Sequence, residues 1–201
     1  MEKSKVKTAV LGAPEGVSVD ASTGRLTSYD NHYERRLSQV RSIYRDSGAC
    51  DALLREKGDV ITYEVYECVK SGADGDLVFG SSIVHPGRVG NEYFMTKGHS
   101  HAKADRAEIY YCVAGDGLML MESPDGRSEA VAMKPGGIVY VPPYWKHRSV
   151  NTGCVKMVSL FAYPADAGHE YGEIERKGMR KIVVEVGCKP ELRDNPAYGG
   201  R

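Results

Sequence analysis

The stretch from Gly98 to Glu108 constrains this chain more than any other. It reads Gly-His-Ser-His-Ala-Lys-Ala-Asp-Arg-Ala-Glu, so His99 and His101 sit two apart and Glu108 follows seven residues later. Side chains of an extended strand alternate between faces, and an i, i+2 histidine pair therefore points one way. Two imidazoles on one face suit a divalent first-row metal. Ala102 to Ala107 provides a loop that brings the chain back, and Glu108 opens a second strand through Val113 in which Glu108, Tyr110 and Cys112 share a face. A fourth ligand candidate, His147, closes Pro142-Pro143-Tyr144-Trp145-Lys146-His147. Between Glu108 and His147, turn signals at Gly115-Asp116-Gly117, Pro124-Asp125-Gly126 and Pro135-Gly136-Gly137 separate short apolar runs. A small antiparallel barrel returns a chain to the same mouth in this way. A histidine pair on a half-exposed surface strand needs no such return visit.

The remaining pattern agrees with a barrel. Val60–Val69 alternates and is rich in Val and Tyr, which predicts a strand. Further strands are expected over Leu77–Val84, Glu92–His101, Gly117–Met121, Ser128–Met133, Ile138–Val141, His147–Asn151, Val155–Tyr163 and Lys181–Val186. Before them, Leu37, Val40 and Tyr44 sit at helical spacing and predict an amphipathic helix over Tyr33–Arg45 with Asn31 as cap. A further helical turn over Asp51–Lys57 is ended by Gly58. The residues up to Ser28 read as an extended arm with one short strand, the tail after Gly187 as peripheral, and the charge run Glu173–Arg180 as a solvated face.

Composition excludes several classes. With 201 residues and a formal net charge of zero, one domain is the default, and nothing in the charge favours nucleic acid or an anionic membrane. The five cysteines are odd in number and contain no Cys-x-x-Cys, which points to reduced thiols in a cytoplasm. No long apolar span is present.

His99, His101, Glu108 and His147 would leave open positions on an octahedral ion, which means a catalytic rather than a structural site. Three imidazoles and a carboxylate suit one divalent ion per subunit, Fe(II), Mn(II), Ni(II), Co(II) or Zn(II), and the sequence does not choose among them.

The Gly98–Glu108 stretch resembles the first cupin motif, and Pro135–Asn151 resembles the second. From about Val60 to Pro196 the chain more closely resembles the cupin-type glucose-6-phosphate isomerases, known mainly from archaea. The residues that carry this are "TKGHSHAKADRAEIY", "IVYVPPYWKHRSVN" and "YPADAGHEYG", the last lying outside the general cupin motifs. The first fifty or so residues match poorly. The resemblance implies an all-β cupin double-stranded β-helix, a jelly-roll barrel over residues 59–201, with the arm and short helices of residues 1–58 packed on it as one structural domain. It implies a metal-dependent aldose-ketose isomerase of glycolysis and gluconeogenesis acting on a sugar phosphate, and a homodimer in which the arm takes part.

The resemblance also implies roles for residues. Glu108 is the candidate to shuttle a proton through an enediol, with a metal-assisted hydride shift as the alternative. Tyr110 shares its face. His169 and Tyr171, on a loop after the last barrel strand, match a segment lining the family's sugar site, and His169 would aid ring opening. The family's phosphate pocket maps onto Tyr63, Ser82, Thr96, Gly98 and Tyr163, with Ser82 in place of the usual Thr. By alternation Lys97 points away from Thr96 and Gly98, towards the face of His99, and Arg148 is set out of phase with His147, suiting a structural ion pair. The rivals are a metal-dependent cupin oxygenase and a non-catalytic sugar-phosphate-binding cupin.

Overall fold

The structure, a computed structural model, describes residues 13–71 and 73–199. Residues 1–12 of the expected arm lie outside the described residues. In chain order the elements are β1 (Asn31–Arg36), α1 (Leu37–Val40), a 3-10 turn (Arg41–Ile43), α2 (Ser47–Lys57), β2 (Ile61–Val69), β3 (Leu77–Val84), β4 (Arg88–Val89), β5 (Glu92–Tyr93), β6 (Ser100–His101), β7 (Glu108–Ala114), β8 (Gly117–Glu122), β9 (Ser128–Met133), β10 (Ile138–Val141), β11 (Lys146–Asn151), β12 (Met157–Pro164), β13 (His169–Glu170), α3 (Gly172–Lys177), β14 (Lys181–Val186) and β15 (Lys189–Asp194).

A six-stranded antiparallel sheet, β1-β2-β3-β12-β7-β10, and a three-stranded sheet, β11-β8-β9, share one core. Tyr63, Val65, Val84 and Met157 of the first sheet pack in one buried cluster with Met119, Met121 and Val150 of the second. Alternation decides which residues enter it. On β7, Glu108, Tyr110 and Cys112 are buried, whereas Ile109 and Tyr111 between them are 45% and 42% exposed. This is the double-stranded β-helix expected of the sequence.

Four local expectations are corrected. Asn31–Arg36 is a strand, not the start of a helix: Tyr33 pairs with Val65 and Asn31 with Glu67. The open edge of β2 offers a full ladder of hydrogen bonds, and this outweighs the helical spacing, which survives only in α1 and the 3-10 turn; Leu37 and Val40 of α1 are buried, as is Tyr44 just after the turn. Asn31 is consequently no cap; the Arg36 N–H instead donates to Gln39 Oε1 at 2.8 Å. The Asp51–Lys57 turn is the end of a longer helix, α2, begun by Asp46, whose carboxylate accepts from Ala49 N–H at 2.8 Å.

The strand expected over Glu92–His101 is broken between β5 and β6. There Thr96 Oγ1 accepts the Ser149 N–H at 3.0 Å and Gly98 turns to φ +80°, so only Met95 and His99 bridge to β11. Finally, the tail is not peripheral. Its β15 covers the edge of β14 along a full antiparallel ladder, Lys181↔Asp194 to Val186↔Lys189. Its exposed, charged side chains hid that strand from a reading based on apolar alternation.

Candidate active site

His99 lies beside β11, exchanging backbone hydrogen bonds with His147 at 3.1 and 2.9 Å. Glu108 opens β7 in the other sheet. The site therefore forms between the sheets, where side chains from both inner faces meet. The Nε2 atoms of His99, His101 and His147 lie 3.7, 3.2 and 3.0 Å from a single atom, Glu108 Oε2. Glu108 is 2% exposed and His147 1%, so water does little to screen this contact.

The imidazoles are oriented from behind. His101 Nδ1 is 2.9 Å from the Arg106 carbonyl and His147 Nδ1 is 3.4 Å from the Trp145 carbonyl. A carbonyl only accepts, so each Nδ1 carries a proton, and in the neutral ring that metal ligation requires Nε2 then presents a lone pair. An ionised carboxylate offers only lone pairs as well. In that state acceptors face acceptors, and the His99 Nε2 atom is buried with no hydrogen-bond partner; with no cation present, a second ring proton on His101 or His147 turns the 3.2 and 3.0 Å contacts into hydrogen bonds to Glu108. A cation among them resolves both facts. Three imidazole nitrogens and a carboxylate oxygen fit a divalent transition metal, and His99, His101 and Glu108 already hold ligand atoms within 4.8 Å of one another.

The electrostatics favour ligation at His99 and Glu108. Burial, followed by the field of His147, pushes the His99 imidazole down to about 3, keeping it neutral as ligation requires. Burial would raise Glu108, but hydrogen bonding to His101, His147 and His99 outweighs it and holds the carboxyl well below its usual range. Burial also opposes charge on His101, yet the Glu108 carboxylate and the Arg106 carbonyl raise it. Tyr110 is pushed far up by burial and then by the Glu108 charge, which leaves its phenol protonated and directed at that carboxylate.

A cavity opens from this centre. Tyr63, Ser82, Thr96, Gly98, Tyr163, His169 and Tyr171 all line it with His99, Glu108 and Tyr110. The structure therefore brings together every residue singled out from sequence, with His101 and His147 behind the wall. His169 is not on a free loop. It pairs with His101 across β13 and β6, and its ring lies 4.3 Å from that of His99. Burial lowers its pKa. The segment is held by Asp166, which accepts from Lys103 at 2.7 Å and Arg106 at 2.8 Å.

A side chain at Gly98 would be strained: its φ is positive, and a Cβ would fall 3.0 Å from the His147 carbonyl oxygen. Arg148 is buried and donates to the Lys97 carbonyl at 2.8 Å, which fixes the same turn.

The sequence reading missed Tyr33, Val65, Glu67 and Phe161, and it set Lys97 with His99 but away from Thr96 and Gly98; all five line the cavity. Tyr33 was hidden by the helical reading. Glu67 shares the parity of Tyr63 on β2, a signal that was present and unused. Lys97 lines the cavity together with Thr96 and Gly98 because no regular strand passes there; its ammonium lies 4.6 Å from the Tyr171 ring centre and pairs with Glu175 of α3. The charge run is accordingly only partly a solvated face: Ile174 is buried, and Glu173 lies 3.2 Å from Lys146.

The family model described as glucose-6-phosphate isomerase matches residues 34–198. The glucose-6-phosphate isomerase of Thermococcus onnurineus is 49% identical over 186 residues, which cover 92% of this chain and 97% of that one. The glucose-6-phosphate isomerase of Pyrococcus furiosus is 45% identical over 185 residues, covering 92% and 97%. Among solved structures, recombinant oxalate oxidase in complex with glycolate aligns over 58% of each chain at 13% identity, with a TM-score of 0.46.

Proposed function

Because this chain belongs to the glucose-6-phosphate isomerase family, we propose that its barrel interconverts D-glucose 6-phosphate and D-fructose 6-phosphate with one divalent ion held by His99, His101, Glu108 and His147, as a step of glycolysis and gluconeogenesis. The observation that carries this reading is the placement of Glu108. Its carboxylate is the point on which three imidazoles converge, and it lies in the wall of a cavity rich in hydroxyl donors.

Isomerisation moves one hydrogen between C1 and C2 of the open-chain sugar. Glu108 takes the proton from one carbon and returns it to the other, through an enediol. A divalent ion held by His99, His101, Glu108 and His147, with Fe(II) favoured, would supply Lewis-acid polarisation of the sugar carbonyl. Tyr110 donates toward Glu108 and orients it. His169, half-buried beside Tyr163 and Tyr171, is placed to move protons during ring opening.

The phosphate is bound by the hydroxyls of Tyr63, Ser82, Thr96 and Tyr163 and by the Gly98 N–H, with Lys97 adding positive charge. Ser82 keeps the donor of the family's Thr and loses a methyl. Glucose 6-phosphate formation from fructose 6-phosphate, followed by coupling to a dehydrogenase, tests the function. Turnover without oxygen consumption is expected, and oxygen uptake in step with turnover would favour an oxygenase instead.

The reading includes a homodimer in the cytoplasm. All five cysteines are free thiols, which suits a reducing compartment. Ile138 and Tyr140 of the edge strand β10 are 68% and 56% exposed and stand opposite Tyr111 and Ile109. Four large apolar side chains on one sheet edge form a patch of the kind that a second copy covers. Sedimentation equilibrium should give about twice the 22.0 kDa chain mass; a monomer at micromolar concentration would remove the dimer from the account.

A further inference from the structure

Glu67 is a carboxylate that the reaction above leaves without a task. It lies on the inner face of β2, in phase with Tyr63 and Val65, and lines the same cavity as Glu108. A charge facing into a barrel is disfavoured by loss of hydration unless something binds it. Among the described residues Glu67 forms no ion pair, and the Asn31 side chain across the β1–β2 ladder hydrogen-bonds to it. A carboxylate has about four acceptor positions, so one amide leaves most of them open to the cavity. Burial raises its pKa, the expected effect of a solvent-poor setting with no cation. Its neighbours are phenols: after burial itself, the Glu67 charge is a principal influence keeping Tyr33 and Tyr163 protonated.

We propose that Glu67 is a specificity-determining residue that accepts hydrogen bonds from hydroxyls of the sugar chain between the phosphate and the isomerising carbons. The ligand chemistry follows from the charge. A bare carboxylate repels phosphate and accepts only from donors, and the donors of an open-chain hexose phosphate are its hydroxyls at C3, C4 and C5. The spacing follows from the strand. Glu67 stands four residues beyond Tyr63 of the phosphate subsite on the same face of β2, and the ladder Glu67–Gly80–Phe161–Tyr110 sets it level with Tyr110, two residues from Glu108. Its ladder partner on β3 is Gly80, where a Cβ would meet the Tyr66 carbonyl oxygen and the ring of Phe161, which lines the same cavity.

The inference rests on the isomerase reading, and the test separates the two. The metal-loaded full chain, Glu67→Gln and Glu67→Asp are assayed with glucose 6-phosphate and with its 3-deoxy and 4-deoxy analogues. Glu67→Gln is expected to lower kcat/KM for glucose 6-phosphate about 10- to 100-fold, the effect of one hydrogen bond to a charged group. Glu67→Asp should recover part of this. Metal content and Tm should match the parent chain. The parent should disfavour at least one deoxy analogue about tenfold or more, and in Glu67→Gln that preference should collapse, because the same hydrogen bond is already missing. An unchanged kcat/KM, or an undiminished preference in a folded, metal-loaded Glu67→Gln protein, overturns the inference while leaving the isomerase reading intact. An inactive parent chain would sink the isomerase reading instead.

Discussion

His147→Ala is expected to lower bound divalent metal from about one ion per chain to nearly none, and to reduce kcat/KM for fructose 6-phosphate by at least about 1000-fold. The size follows from position. His147 Nε2 approaches the shared Glu108 oxygen at 3.0 Å, inside a wall that solvent does not reach. Without it, one face of the centre becomes an apolar hole that no water-filled surface can replace. The anchoring ladder survives, since His147 and His99 are joined through backbone atoms, so the barrel should still fold and show an unchanged far-ultraviolet circular dichroism spectrum. Elemental analysis of the purified variant decides the point. A variant that retains its metal and its activity would show that His147 is only a packed core residue.

Glu108→Gln is expected to lower kcat about 10²- to 10⁴-fold, the range associated with losing a positioned acid-base group. The substitution preserves shape but removes the negative charge on which the three imidazoles converge, so metal affinity should fall as well. Assays at saturating metal separate the two losses. If kcat stays low when the centre is filled, the carboxylate acts in proton transfer as well as in binding. The same preparation of the parent chain, turned over in deuterated water, should place solvent deuterium in the product through the enediol. Product free of deuterium would assign the transfer to a hydride shift and confine Glu108 to holding the ion.

Much of this site was legible in the sequence because its residues sit where local rules are strong. His99 and His101 obey strand parity even though the strand is only two residues long, because both side chains are drawn to one carboxylate from either side of Ser100. Glu108, Tyr110 and Cys112 alternate cleanly on a seven-residue strand. The readings that failed were those in which partners distant in sequence decide the outcome. Tyr33 became a strand residue because β2 lacked a neighbour on that side. The polar tail became β15 for the same reason at β14. Lys97 escaped alternation because Thr96 and Gly98 spend their hydrogen-bonding and backbone freedom on a turn against β11. Residues 59–201 read as the barrel, yet β1 from the preceding stretch completes its larger sheet and brings Tyr33 and Asn31 to the cavity side of Glu67.

The central claim is that residues from two sheets hold one cation whose presence makes the cavity an isomerase. It is tested most directly by stripping the full chain with a chelator, removing the chelator, and following fructose 6-phosphate turnover as Fe(II), Mn(II), Co(II), Ni(II) or Zn(II) is added back in turn. The account predicts that the stripped chain is folded and nearly inactive, and that at least one of these ions restores activity in proportion to the metal bound, up to one per chain. Full activity in the verified metal-free chain, or inactivity whichever ion fills the centre, would contradict it.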